Sequence, residues 1–150
     1  MLFIKLSSQF KGEITELQVA QSFLSFGIQV CKPLVTDCRY DFIVDINHNL
    51  IRIQVKTCSL EKIEDGYISF VTRSTYINTQ KTVSHPYTKE EIDYFATFFN
   101  NQCYVIPVEK GGVTRFRLRI APTKNGQTKN INFAEDYTLE KFLASMGWNA

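Results

Sequence analysis

Asp41, Gln54 and Lys56 lie on two β-branched runs, Asp41-Phe42-Ile43-Val44-Asp45-Ile46 and Leu50-Ile51-Arg52-Ile53-Gln54-Val55-Lys56-Thr57. The intervening Asn47-His48-Asn49 is a turn signal, so the runs read as an antiparallel hairpin. A two-residue turn centred near His48 places Asp41 opposite Gln54 or Lys56, and alternation along each strand keeps all three side chains on one face. Ile51, Ile53 and Val55 then fill the other face. Taken alone, this pattern equally describes a solvated hairpin face with an exposed ion pair. Glu16 changes the balance, because it adds a carboxylate on a helix that can lean toward the sheet. Carboxylates on a helix and on a strand, with an amide oxygen and an ammonium on the next strand, are what a divalent-metal phosphodiesterase needs. Two anionic oxygens and one neutral oxygen suit Mg²⁺, and Lys56 can steer water or stabilise the charge that builds on phosphorus.

The elements that must hold these groups are legible in outline. From Gln9 to Phe26 the apolar residues Phe10, Ile14, Leu17, Ala20, Phe23 and Leu24 recur at helical spacing, and Gly27 follows where a helix commonly stops. Ile28 to Cys31 predicts a short strand, and Lys32 to Tyr40 a loop. A strand is expected over Gly66 to Arg73, followed by a working loop from Ser74 to Pro86, too hydrophilic for a tight hairpin. Thr88 with Glu91 three residues on predicts a helical start, which would account for Glu90, Glu91 and Asp93 as first-turn acids rather than metal ligands. Tyr94 to Phe99 and Cys103 to Val108 predict strands around Asn100-Asn101-Gln102, and the former is aromatic enough to serve as core and subunit interface together. Val113 to Ile120 predicts another strand, and Leu139 to Met146 a last helix anchored by Trp148.

The chain has 150 residues, 44% hydrophobic and 21% charged, which fits one α/β domain over 1–150 and excludes disordered, collagenous and repeat classes. The apolar start Met1 to Leu6 lacks a cleavage site for a secretory signal, and no run approaches membrane-spanning length. Cys31, Cys38, Cys58 and Cys103 form no metal-ligand spacing and read as reduced thiols of a cytoplasmic protein.

Lys11-Gly12-x-x-x-Glu16, Tyr40-Asp41-Phe42-Ile43-Val44 and Gln54-Val55-Lys56 resemble the PD-(D/E)XK nuclease signature, in its variant with Gln for the acidic residue. The intervals Glu16 to Asp41 and Asp41 to Gln54, 25 and 13 residues, are similar to those of archaeal Holliday-junction resolvases of that superfamily. Tyr67-Ile68-Ser69-Phe70-Val71-Thr72-Arg73, Glu91-Ile92-Asp93-Tyr94-Phe95 and Tyr104-Val105-Ile106-Pro107 extend the resemblance, over about residues 10 to 137, to cyanobacterial group I intron-associated PD-(D/E)XK homing endonucleases. It implies a restriction-endonuclease-like core, a central mixed β-sheet flanked by helices, with an additional DNA-binding β-hairpin or loop. It also implies Glu16, Asp41 and Gln54 at a metal site for Mg²⁺, with Mn²⁺ able to substitute, and Lys56 as the catalytic lysine. Neutral Gln54 implies weaker metal affinity and more reliance on substrate phosphate to complete the shell. Tyr40 stands where the family name has Pro, which shapes backbone and does no chemistry.

The partner implied is double-stranded DNA. Between Val113 and Asn130 there are five cations, Arg115, Arg117, Arg119, Lys124 and Lys129, and no acid. On a strand the three arginines form one cationic face, with Phe116, Leu118 and Ile120 inward; the plainer alternative is a charged edge strand that resists aggregation. Arg73, Lys81 and His85, in and beside the loop, and Lys32 and Arg39, before Asp41, are further DNA-binding candidates. His48 reads as a turn residue. A double-strand break needs two active sites, hence a homo-oligomer, dimer or tetramer. The rival readings are a junction resolvase or restriction enzyme on the same core, and a DNA-binding module without catalysis.

Overall fold

The computed structural model describes residues 4–62, 66–112 and 114–149. Met1, Leu2 and Phe3 of the apolar start, and Val113 at the head of an expected strand, lie outside the described residues. In chain order the elements are α1 (Ser8–Ser25), β1 (Gln29–Cys31), β2 (Phe42–Ile46), β3 (Asn49–Val55), β4 (Ser59–Leu60), β5 (Tyr67–Val71), β6 (Arg73–Asn78), β7 (Lys81–Pro86), β8 (Tyr94–Phe99), β9 (Gln102–Pro107), β10 (Arg115–Arg119) and α2 (Leu139–Ser145). Single 3₁₀ turns occupy Val108–Lys110 and Ala134–Tyr137.

Helix α1 starts where the Ser7 hydroxyl accepts the Phe10 amide and ends at Gly27, whose φ of +75° suits a residue without Cβ. Its inward face is Thr15, Val19 and Phe23. The expected stripe is therefore only partly the packed one, since Phe10, Ile14, Leu17 and Leu24 are exposed. The helix is apolar on two faces, and spacing alone does not say which of them meets the sheet.

Among the described residues, a five-stranded mixed sheet has the order β1-β2-β3-β8-β9, with β3 and β8 parallel and the other neighbours antiparallel. Its two tight turns use Asn47-His48 and Asn100-Asn101, all with positive φ, the geometry that matches strand twist. Two cores divide the strands by alternation. On one face Phe42, Val44, Ile46, Ile53 and Val55 pack with Phe23 of α1 and Phe142 of α2. On the other, Phe95, Tyr104 and Ile106 pack against a three-stranded sheet, β10-β5-β4, through Ile68, Phe70, Phe116 and Leu118. Phe95, Ala96 and Thr97 are buried, so the middle of β8 is core rather than open surface. Trp148 packs on the first core and donates to the Phe26 carbonyl at 3.2 Å, fastening the end of the chain to the end of α1.

One expected element differs. The working loop from Ser74 to Pro86 is instead a regular two-stranded ribbon, β6 paired with β7 from Arg73↔Pro86 to Asn78↔Lys81. Its ladder satisfies the backbone without an apolar face, which is why composition concealed it. At Thr88 the expected short helical turn forms and goes no further. The Thr88 carbonyl accepts the Glu91 and Ile92 amides and the Glu91 carboxylate accepts the Thr88 amide at 3.1 Å. One turn closes, and the chain then enters β8 because Arg52 holds Asp93 beside β3.

Candidate active site

The β2–β3 turn decides the register. Phe42 pairs with Ile53, so Asp41, one residue before β2, falls opposite Gln54 rather than Lys56. The Asp41 amide donates to the Ile53 carbonyl at 2.9 Å, and its Oδ2 accepts the Val55 amide at 2.6 Å. Burial pushes its carboxyl up to about 6; the Val55 hydrogen bond lowers it, the negative charge of Glu16 raises it, and Lys56 and Lys32 lower it. Glu16 and Lys56 are thus near enough to be felt at Asp41. Gln54 donates through Nε2 to the Val55 carbonyl at 3.2 Å.

Helix α1 is tied to this end of β3 by a link that spacing did not reveal. Thr15 Oγ1 donates to the Lys11 carbonyl at 2.8 Å and lies 3.1 Å from Thr57 Oγ1. Thr15 precedes Glu16 and Thr57 follows Lys56, so one hydroxyl pair ties the turn of α1 that carries Glu16 to the segment that carries Lys56. The Glu16 side chain is 23% exposed and accepts Lys32 Nζ at 3.4 Å.

Lys56 is half-buried. Burial draws its ammonium down to about 8, against the raising effect of Asp41 and with a further lowering by Arg39. Its Nζ donates to the Tyr87 hydroxyl at 3.2 Å and to the Arg73 carbonyl at 3.3 Å. The Tyr87 ring also carries the Arg39 guanidinium 4.0 Å from its centroid. Nothing in the sequence pattern singled out Tyr87, since it follows Pro86 in a stretch without periodicity. It meets Lys56 because the base of the ribbon, at Arg73 and Tyr87, lies against the residue that follows β3.

Arg39, Arg73 and His85 gather at the ribbon base. Arg39 donates to Ser74, to the Pro86 carbonyl and to Glu91, and its Nε is 3.2 Å from Glu91. Glu91 also meets His85 Nε2 at 3.2 Å, while Arg52 forms a two-pronged pair with Asp93, at 3.0 and 2.9 Å. Glu91 and Asp93 are therefore paired with cations, Glu91 while also accepting the Thr88 amide. Lys81 is exposed where the ribbon turns, and Lys124 and Lys129 are exposed in the segment between β10 and the second 3₁₀ turn.

The arginine row shares one face of β10, with Phe116 and Leu118 buried opposite it. Ile120 is 38% exposed and does not pack inward as expected, because the strand ends at Arg119. Each arginine is braced: Arg115 on Ser69, Arg117 on Glu61 at 3.1 Å, and Arg119 on the Ala121 and Pro122 carbonyls at 2.8 Å. Arg73 and Ser84 of the ribbon join Arg115 and Arg117 in lining one open cleft of about 600 Å³. Arg73 of the ribbon and two arginines of the row, distant in sequence, thus border the same cleft.

Among the described residues no group of three or more His, Cys, Asp or Glu side chains is placed to hold a metal. The expected ligands are two carboxylates, Glu16 and Asp41, and the Gln54 amide, an oxygen set whose chemistry suits a hard divalent cation. The rise of Asp41 to about 6, driven by burial with Glu16 adding to it, marks negative charge that a cation would relieve. All four cysteines are free thiols, in keeping with their expected reduced state.

Among curated protein sequences none matches the chain significantly. In solved structures, the chain is similar to a bacterial homing endonuclease, I-Ssp6803I, with a TM-score of 0.78 over 95% of each chain at 22% sequence identity. At that identity the likeness shows the fold: the mixed sheet and helices are those of the restriction-endonuclease-like core. The family model of PD-(D/E)XK endonucleases matches residues 6–140, a span that includes Glu16, Asp41, Gln54 and Lys56, and the chain belongs to that family.

Proposed function

We propose that the chain, acting as one domain over residues 1–150, is a metal-dependent, site-specific endonuclease that cuts both strands of a DNA target in intron homing. The observation that carries the reading is the setting of Asp41 opposite Gln54 on the β2–β3 hairpin, its carboxyl raised chiefly by burial and further by Glu16, and lowered by the Val55 amide and by Lys56. Glu16, Asp41 and Gln54 are the residues to hold Mg²⁺, with Mn²⁺ able to substitute. When bound, the ion would acidify a water and neutralise charge on the phosphate. Lys56, kept cationic near neutral pH and aimed by Tyr87 and the Arg73 carbonyl, donates to an oxygen that gains charge at the scissile phosphate. Exclusion of bulk water around half-buried Lys56 and Asp41 strengthens that interaction. The homing neighbour supports the biological role, and the cleft lined by Arg73, Arg115 and Arg117 supports a duplex partner. Lys32, Arg39, Lys81, His85, Arg119, Lys124 and Lys129 are the further DNA contacts in this reading. We further propose a homo-oligomer, dimer or tetramer, working in the cytoplasm; among the described residues no helix is long and apolar enough to cross a membrane.

The test is incubation with duplex DNA spanning the host insertion site, with Mg²⁺ or Mn²⁺, and mapping of both cut ends. Lys56→Ala is expected to keep DNA binding and lose cleavage. A wild-type chain that never nicks DNA refutes the reading and leaves a binding module. Cleavage of four-way junctions irrespective of sequence, with the duplex target intact, would favour a resolvase.

A further inference from the structure

The groups that accept the Lys56 ammonium belong to the base of the ribbon. Arg73, whose carbonyl accepts Nζ at 3.3 Å, opens β6, and Tyr87, whose hydroxyl accepts it at 3.2 Å, follows the last residue of β7. Lys56 itself follows β3, on the hairpin that carries Asp41 and Gln54. The place of the ammonium therefore depends on how the ribbon base is seated on that hairpin. We propose that Arg39, in the loop that leads to Asp41, is a positioning residue for Lys56: its guanidinium clasps both ends of the ribbon, supports the Tyr87 ring, and so sets where the ammonium stands. This role is additional to the DNA contact given to Arg39 above, and it rests on the nuclease reading for its consequence in cleavage.

One side chain reaches every part of this arrangement. Arg39 Nη1 donates to the Ser74 hydroxyl on β6, and Nη2 donates to the Pro86 carbonyl at the end of β7, at 3.1 Å. Pro86 pairs with Arg73, so the guanidinium grips the ribbon at the rung whose Arg73 carbonyl meets Lys56. The guanidinium carbon stands 4.0 Å from the centre of the Tyr87 ring, and Lys56 Nζ stands 4.7 Å from the same centre. Two cations on one ring repel each other. Glu91 offsets the added charge, accepting Nη2 at 3.3 Å and lying 3.2 Å from Nε. Glu91 is fixed in turn by the Thr88 amide at 3.1 Å and stands 3.2 Å from His85 Nε2.

The chemistry of the contacts calls for arginine. A planar fork of donors can meet an oxygen on each strand, a carboxylate and a ring face at once. Lysine in its place keeps a cation for phosphate but offers one ammonium on a flexible stem, which does not span those partners. A residue that served phosphate alone would keep its donors open, whereas Arg39 has Nη1, Nη2 and Nε all turned to protein oxygens. Tyr87 also packs edge-on against buried Phe95, with 5.5 Å between ring centres. Weakening the clasp therefore shifts the hydroxyl and the ammonium while the core beneath the ring stays packed.

The test compares Arg39→Lys alone and combined with Tyr87→Phe, using single-turnover cleavage of duplex DNA spanning the host insertion site and, with a chelator, affinity for the same duplex. For Arg39→Lys turnover should fall about tenfold with affinity within about twofold. In the Tyr87→Phe background the same change should cost less than about threefold, because the hydroxyl through which Arg39 acts is already gone. Glu91→Gln should lower turnover in the same sense without loss of affinity, since an acid is no phosphate ligand. A readout without DNA is the nuclear magnetic resonance signal of the Lys56 ε-methylene, identified by its loss in Lys56→Ala. In Arg39→Lys it should move toward the signals of exposed lysines, while the Trp148 indole signal, from the first core, and the circular dichroism stay unchanged. Affinity lost with turnover kept, equal losses in both backgrounds, or a Lys56 signal that does not move overturns the proposal. A wild-type chain that cuts no DNA, with a Lys56 signal that moves as expected, supports the placement and counts against the nuclease reading.

Discussion

Asp41→Asn should make the metal-free protein more stable while abolishing cleavage. Burial raises the carboxyl from 3.8 to about 6, so its ionised form is held in the folded state at a cost. At about 1.4 kcal/mol per pK unit the rise amounts to about 3 kcal/mol, an order-of-magnitude figure. Asparagine keeps an oxygen to accept the Val55 amide and removes the buried charge. The sign follows from proton binding: between about pH 4 and pH 6 the folded state holds a proton that the unfolded state has lost. Stability from this group is complete below pH 4 and is lost as pH rises through 6. The difference between variant and wild type should therefore be near zero at pH 4 and reach its full value above pH 7. Urea unfolding in the presence of a chelator, followed by circular dichroism across that range, measures it. Thermal midpoints should move by about 2–4 °C per kcal/mol for a chain of this size. Addition of Mg²⁺ should then stabilise the wild type and not the variant. A variant that is less stable than wild type at pH 7.5 without metal, or a difference independent of pH, would show that Asp41 is not a strained carboxylate awaiting a cation.

Three further outcomes are expected. Tyr87→Phe removes the hydroxyl that accepts Lys56 at 3.2 Å but keeps the ring beneath Arg39; turnover should fall about tenfold with DNA affinity within twofold, and equal loss in both would deny Tyr87 a positioning role. Arg117→Ala should weaken DNA binding and reduce the slope of log affinity against log salt by about 1, whereas an unchanged slope assigns Arg117 to its Glu61 pair. Arg52→Ala, which leaves Asp93 without its two-pronged partner, should cost about 1–2 kcal/mol after allowance for partial exposure. The Arg52 hydrogen bond holds the Asp93 carboxyl below its ordinary value, so that contribution is present above about pH 4 and disappears on further acidification, to be read from acid unfolding of both proteins.

Local chemistry was enough for the β2–β3 hairpin. Two residues that tolerate positive φ, flanked by alternating β-branched side chains, exclude a slip by one residue, which would turn Ile51, Ile53 and Val55 out of the core; the choice of Gln54 over Lys56 as the residue opposite Asp41 came with the observed pairing. Asp41 and Gln54 consequently share a face in any fold that keeps that hairpin. The start and end of α1, the β8–β9 turn and the anchoring role of Trp148 follow in the same way from caps, turn residues and one large apolar side chain near the end of the chain.

What neighbours across the fold settled is of another kind. Which apolar face of α1 is buried depends on where the sheet lies, and hydrophobic spacing is indifferent to that. The ribbon over Arg73–Pro86 is held by its own backbone ladder, which leaves no mark in composition. Thr88 begins a turn that goes no further, because Arg52 on β3 holds Asp93. Tyr87 reaches Lys56, and Thr15 reaches Thr57, only after chain segments 31 and 42 residues apart have been brought together. Short-range order arises from steric and hydrogen-bonding preferences that each residue carries with it; the setting of a catalytic ammonium arises from burial and distance, which exist only once the chain has closed on itself.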